Sequence, residues 1–292
     1  MAARKKRTKN QEQGEKRTFL SRFDWLNKFK HWWLGGVSVT RSLFRVKAAK
    51  QTLAILIAIL VVAYIMAAFY TQSGEFVVTL GRELADDGFL LSETPDFSER
   101  LVTLRGTAVV GANNINIADI DRNVMNVDGA HNGTDYVAYT FYIKNNTGET
   151  CNYNYNLRLT GHSKGAENAA WIMVFKNGEM TIYAKARPDG TIERQYSAVE
   201  FPFMEYASDE MKVKEVSGVS LEEQGLQENQ TVYELDTVAF EANDMICSGL
   251  REGIRDGEAD KYTVVIWIEG EDPECVDDII GGWIETRMTF TY

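Results

Sequence analysis

"DYVAYTFYIKN", residues 135–145, decides the fold. Val137, Tyr139, Phe141 and Ile143 fall on one side of an extended chain, and Ala138, Thr140, Tyr142 and Lys144 on the other. A period of two in aromatic and β-branched residues is the signature of a strand with one face in a core. The pattern repeats outward from there. "CNYNYNLRLTG" (151–161) alternates through Tyr153, Tyr155, Leu157 and Leu159. "AAWIMVFKNGEMTIYAKARPDGTIE" (169–193) contains Asn177-Gly178 and Asp189-Gly190, pairs that reach positive φ cheaply and so predict two hairpin turns. "EFVVTL" (75–80), "RLVTLRGTAVV" (100–110), "KYTVVIWIE" (261–269) and "GWIETRMTFTY" (282–292) add further strands. Residues 115–129, 203–214 and 238–253 are expected to hold short helices or irregular loops. Many short strands separated by Gly and Asn turns predict a mainly β chain, with residues 72–292 forming one β-sandwich.

Upstream of these strands the composition changes. "TLAILIAILVVAYIMAAFY", Thr52–Tyr70, is 19 residues without charge, Pro or Gly. As a helix it would rise about 28 Å, close to the ~30 Å hydrocarbon core of a bilayer. It predicts a transmembrane helix over 51–71, with a buried core helix as the alternative. The charge divides around it. Residues 1–50 carry 14 Lys/Arg and 3 Asp/Glu, whereas 71–292 carry 17 and 39. Arg41, Arg45, Lys47 and Lys50 precede the span closely, and the first Lys/Arg after it is Arg82. Basic charge stays inside, so the N-terminus is expected in the cytoplasm and the acidic region outside the plasma membrane. A cleaved signal peptide is the rival reading; its n-region would be long, and no clean A-x-A site follows.

Residues 1–17 are polar and basic and read as a disordered arm. Residues 18–50 read as a cytoplasmic basic amphipathic segment. Phe19, Phe23, Leu26 and Trp33 share a helical face, Trp25, Phe29 and Trp32 widen it, and Arg22, Lys28 and Lys30 flank it. That combination suits the inner membrane surface better than nucleic acid.

The outer region shows little catalytic signature. His131 and His162 have no zinc-ligand spacing, and no G-x-S-x-G, P-loop or dinucleotide fingerprint occurs. The chain is therefore expected not to be an enzyme. Cys151, Cys247 and Cys275 are odd in number and leave open one disulfide with a free thiol, a covalent dimer, or three reduced thiols. Asn132, Asn145 and Asn229 lie in N-x-[ST] sequons, which suit exposed turns. Two acid-rich stretches are calcium candidates, because calcium takes six to eight oxygens from flexible loops. The first offers Asp119, Asp121 and Asp128, with Asp135 nearby. The second, "WIEGEDPECVDDIIGGWIE" (267–285), offers Asp272, Glu274, Asp277 and Asp278 beside Glu269 and Glu271. The competing expectation for the second stretch is a solvated connection between the last two strands, since Gly270, Pro273 and Gly281-Gly282 break the strand pattern.

"DGAHNGTDYVAYTFYIKN", "MTIYAKA" and "DKYTVVIWIEGEDPECVDDIIGG" resemble a group of membrane-anchored surface proteins of Gram-positive bacteria (Firmicutes), over most of residues 75–292. More distantly, an apolar N-terminal segment followed by a sandwich resembles camelysin and the TasA-type biofilm matrix proteins. That resemblance implies a jelly-roll-like domain and assembly at the cell surface by one subunit lending a strand to another. The long basic N-terminal segment departs from the matrix-protein pattern. Together these features predict a non-catalytic, single-pass surface protein that adheres or self-assembles through its outer sandwich, with the membrane, a second copy or another surface protein as partner. Two alternatives stay open. One is an extracytoplasmic sensor of a small molecule or carbohydrate, coupled to a cytoplasmic partner. The other is a secreted fibre subunit released by signal cleavage.

Overall fold

The computed structural model describes residues 52–64, 75–197, 199–216 and 232–292, with backbone alone at 212–216. The basic arm, the amphipathic segment and the flanks of the apolar run lie outside the described residues, as does Asn229. The chain divides into two compact units, Met1–Met66 and Ala67–Tyr292. The first contributes residues 52–64, which are helical and exposed throughout. Among the described residues no helix is long and apolar enough to cross a membrane.

The second unit is mainly β. Its strands are β1 (Phe76–Leu80), β2 (Leu90–Ser92), β3 (Thr103–Arg105), β4 (Gly129–Ala130), β5 (Tyr136–Lys144), β6 (Cys151–His162), β7 (Ala170–Lys176), β8 (Glu179–Ala184), β9 (Arg194–Ser197), β10 (Lys212–Val216), β11 (Val232–Asp236), β12 (Val238–Ala239), β13 (Met245–Ile254), β14 (Ala259–Ile268) and β15 (Ile284–Thr291). One sheet runs β13-β6-β15-β1-β3. A second runs β12-β8-β7-β14-β5-β2, with β4 also on β5. A third, smaller sheet runs β10-β11-β9.

The first core lies between the two large sheets. Phe76 and Val78 of β1, Tyr139, Phe141 and Ile143 of β5, Tyr153 and Leu157 of β6, Ile172 of β7, Tyr262 and Val264 of β14, and Met288 and Phe290 of β15 all belong to it. Phe141 stacks on Tyr262 at 5.5 Å between ring centres, and Phe290 meets Tyr262 edge-on at 5.4 Å. Of the aromatics in "CNYNYN" and "VVIWIE", Tyr153 lies in this core, Tyr155 packs against it, and Trp267 lies in the second core. A second core covers the other face of the second sheet. Ala138, Trp171, Met173, Phe175, Val265 and Trp267 pack there against Ile117, Ile120 and Val124 of the 115–127 segment, Phe201 and Phe203 of the β9–β10 connection, and Leu235 of β11. Successive residues of β7 therefore enter opposite cores, which is why "AWIMVF" is apolar without interruption.

Several expectations change at this level. Asn177 (φ 53°) and Gly178 (φ 89°) do close a hairpin between β7 and β8. Asp189-Gly190 makes a turn without a hairpin, because β8 and β9 belong to different sheets. Residues 245–254, read as helix or loop, form β13 against β6; Gly249 in its middle accepts the Tyr155 ring, where a Cβ would stand 2.4 Å from it. Residues 115–129 hold two single 3-10 turns, Ile117–Asp119 and Val124–Asn126, and end at the start of β4. Asn145 is buried, its amide donating to the carbonyls of Glu149 and Ile254, so this sequon is not an exposed turn. All three cysteines are free thiols; burial pushes the Cys247 thiol up to about 12. β1 lies between β15, parallel, and β3, antiparallel, so both of its edges are taken within its own chain and it has no free edge for the strand exchange that the matrix-protein resemblance implies.

Candidate functional site

β14 and β15 end up in opposite sheets, so the acidic stretch between them carries the chain across one end of the sandwich. It is pinned there by its backbone. Glu269 N–H donates to the Ala169 carbonyl at 2.9 Å and Gly270 N–H to the Ile115 carbonyl at 2.9 Å, extending β14 beyond its last pair. The loop is the connection between the last two strands that its composition suggested, and Glu271, Asp277 and Asp278 are exposed, but two of its acids are not solvated. Glu269 and Asp272 are 0% and 4% exposed.

Two tryptophans hold these carboxylates. Trp171 and Trp267 are register partners on β7 and β14, with ring centres 6.1 Å apart. The Trp267 indole N–H donates to Glu269 Oε2 at 2.9 Å, and the Trp171 indole N–H to Asp272 Oδ2 at 2.9 Å. Backbone amides complete the pairing: Glu271 N–H donates to Glu269 Oε1 at 3.2 Å, and Glu274 N–H to Asp272 Oδ1 at 2.9 Å. Two large rings that need a buried acceptor are thus matched to two acids that need donors.

A third buried acid arrives from a distant part of the sequence. Glu193 stands just before β9, 1% exposed, and accepts a forked pair of hydrogen bonds from Arg187 Nε and Nη2, both at 2.8 Å. One carboxylate oxygen from each of Glu193, Asp272 and Glu274 lies within 4.8 Å of the others. Desolvation is the largest influence on both loop acids. It pushes the Glu269 carboxyl up to about 7, against the pull of the Trp267 indole and the Glu271 amide. Asp272 shifts upward for the same reason, with the Glu274 and Glu193 carboxyls adding to the rise. Gln195, two residues beyond Glu193 on the same side of the extended chain, is buried and completes no hydrogen bond at either amide atom. It still lies near enough to Glu269 to favour the ionised acid, which places its amide beside this nest at less than good hydrogen-bond geometry.

The nest borders a cleft of about 480 Å³ lined by Asn168, Lys185, Arg187, Phe240, Asn243 and Glu274. Arg187 and Glu274 belong to both. Lys185 reaches Glu167 at 3.4 Å, and Glu167 also lies 2.9 Å from His162 Nδ1.

Of the predicted calcium ligands, only Asp272 and Glu274 come together. Asp119 caps its own 3-10 turn by accepting from Asn116 N–H at 3.0 Å, Asp121 accepts from Asn123 N–H at 2.9 Å, and Asp128 from the Tyr142 hydroxyl at 2.6 Å. Asp135 accepts from Asn113. Each of these carboxylates thus has a local structural task. Asp277 and Asp278 are exposed on the 3-10 turn Asp277–Ile279 and lie outside the cluster. Sequence reading missed Glu193, Gln195 and Arg187. Their only signal was alternation of long polar side chains in "RPDGTIERQ", which is indistinguishable from a solvated edge. In comparisons with known proteins, no family model, no curated protein and no solved structure matches the chain.

Proposed function

We propose that this chain is a non-catalytic surface protein, tethered by its apolar segment in the plasma membrane with the N-terminus in the cytoplasm, whose outer sandwich works by recognition and adhesion. The observation that carries the reading is the helix at 52–64. Leu53, Ile55, Leu56, Ile57, Ile59, Leu60, Val61 and Val62 are all exposed, so apolar side chains project all round it. A helix without a polar face belongs in lipid or in a protein interior. Basic residues close before it and their scarcity after it support this orientation. Thirteen described helical residues cover about 20 Å; the rest of the 19-residue apolar run extends the same composition.

Adhesion fits the outer domain better than fibre assembly by strand exchange. β1 is paired on both sides, and the outer edge of β13 is blunted. Glu241 accepts from Ser248 N–H at 2.7 Å and from its hydroxyl at 2.8 Å, and register shifts interrupt both ends of the strand. Capped and bulged edges discourage pairing with another sheet. Ligand sensing is a second reading, favoured by the cleft between Lys185, Arg187 and Glu274, whose charges suit a polar ligand.

The test is an intact mass on protein recovered from native cells, separated into membrane and medium, combined with protease treatment of whole cells. A full-length species of 33.0 kDa in the membrane fraction, cut from outside only beyond residue 70, is the expected result. A chain beginning near residue 70 and found in the medium overturns the tether and makes the secreted fibre subunit the better account.

A further inference from the structure

We infer that the cleft between the ends of β8 and β12 binds a neutral oligosaccharide through Phe240, Lys185, Arg187, Glu274 and the side-chain amides of Asn168 and Asn243. The inference rests on the recognition reading above and names its ligand. Two strands that part build the cleft. β8 and β12 run parallel, with Tyr183 opposite Val238 and Ala184 opposite Ala239, and Phe240 N–H donates to the Ala184 carbonyl at 3.1 Å. Beyond that bond each chain folds into its own turn. Gly190 N–H returns to the Arg187 carbonyl at 2.8 Å, and Ala242 and Met245 exchange backbone hydrogen bonds at 3.1 and 3.2 Å. Asn168, on the 3-10 turn before β7, and Glu274, on the crossover between β14 and β15, supply the rest of the wall. The volume of about 480 Å³ falls within the ~300–1,000 Å³ of small-molecule sites, and walls fixed before binding lose little entropy on it.

Charge selects the ligand. Both cations of the wall are answered by buried acids: Lys185 reaches Glu167 at 3.4 Å, and Arg187 forks onto Glu193. Neither is spent. The fork uses Nε and Nη2 of Arg187 and leaves Nη1 to donate, and Lys185 commits one of its three ammonium donors. Glu274 adds an acid to the same wall. An anionic ligand would meet Glu274 with no surplus cation to offset it, and a cationic ligand would meet Lys185 and Arg187. A hydroxyl both donates and accepts. A neutral polyol can therefore donate to Glu274 and the amide oxygens while accepting from Arg187, Lys185 and the amide nitrogens. Phe240 favours a sugar over other polyols. It packs on the first core and also borders the cleft. The negative face of an aromatic ring attracts the polarised C–H groups on the flat side of a pyranose.

The test uses the full chain in micelles of a detergent without a sugar headgroup. The chain is applied to an array of neutral, acidic and amino-bearing oligosaccharides, and the neutral one retained best is titrated by calorimetry. Retention of neutral glycans ahead of acidic and amino-bearing ones is expected. Asn243→Ala, at an exposed position, should keep the fold by circular dichroism and weaken binding about threefold to tenfold. Phe240→Leu keeps apolar bulk on the core and should weaken binding by about as much, through loss of the ring. Asn154→Ala, on the exposed side of β6, should leave affinity unchanged. Preference for acidic or amino-bearing glycans overturns the neutral assignment. Retention of no glycan removes the ligand class, and affinity unchanged in both cleft variants puts the sugar elsewhere. If Phe240→Leu fails to fold, Asn243→Ala alone decides. A chain held in the membrane but blind to neutral glycans loses this inference and keeps its tether, so the two failures are distinguishable.

Discussion

The two large sheets share a core and differ in what lies on their outer sides. The sheet around β6 turns its second face to solvent, so β6 reads as apolar residues alternating with Asn and Arg. The sheet around β7 and β14 is covered on both faces, so β7 reads as an apolar run from Ala170 to Phe175 and β14 as one from Val264 to Ile268. A wet face tolerates polar side chains without penalty. A covered face demands that every polar group find a partner, as Thr140 and Thr263 do by hydrogen-bonding each other at 2.7 Å. The acidic nest stands at the end of the covered face, and its buried carboxylates follow from that placement.

Mutations on neighbouring residues offer the strongest test of this difference. Ile172→Ala and Met173→Ala point into opposite cores from adjacent positions on β7, and each should cost about 2–5 kcal/mol. On β6 the same loss is expected for Leu157→Ala, while Asn154→Ala, on the wet face, should stay within about 0.5 kcal/mol. Equilibrium unfolding followed by fluorescence measures all four. A near-neutral Met173→Ala would show that the second core contributes little.

The nest provides the next contrast, read as a pH dependence with chelator present. The Glu269 carboxyl rises in the folded chain from 4.5 to about 7, and Asp272 also rises from 3.8. The folded state therefore holds protons that the unfolded state has released. Their stabilising contribution is complete below about pH 4, drains away as pH climbs to about 7, and is flat beyond. For Glu269 alone it is on the order of 3 kcal/mol. Glu269→Gln should flatten the stability profile between pH 5 and 7, and an unaltered slope would refute the burial of this acid.

Smaller effects separate turn from edge. Gly178 closes the β7–β8 hairpin at φ 89°, and Gly178→Ala should lower stability by about 1 kcal/mol in the same unfolding experiment. Glu241→Ala uncovers Ser248 N–H on β13 and should cost less than about 1 kcal/mol. It should also promote association of the chain in sedimentation velocity; unchanged sedimentation would mean that the bulges suffice to protect that edge.

Legibility followed the same division. Where one face is wet, as along β6, alternation in the sequence marked strand and facing together. On β5 it marked the strand and correctly placed Tyr139, Phe141 and Ile143 on one side, but it did not reveal that Ala138 enters a second core. β13 escaped because "MICSGLREG" mixes small, charged and apolar residues around two register shifts, and a bulge destroys the period on which a strand is recognised. The second hairpin failed because turn chemistry specifies a reversal of the chain and says nothing about which sheet receives the next strand. Half of the candidate site was visible as acids in one stretch. The other half, Glu193 and Gln195, lies about 80 residues earlier in a segment whose polarity suggested solvent.

By itself the sequence determined the mainly β character of residues 75–292, the turn at Asn177-Gly178, the apolar run at 52–70 and the charge divided around it, because side-chain period, positive φ and transfer energy are local properties of the chain. Only the tertiary structure decided that β14 and β15 part into different sheets, that β1 is paired on both sides, and that Glu193, Asp272 and Glu274 converge. Each of these depends on which faces become covered, and covering is the work of residues distant in sequence.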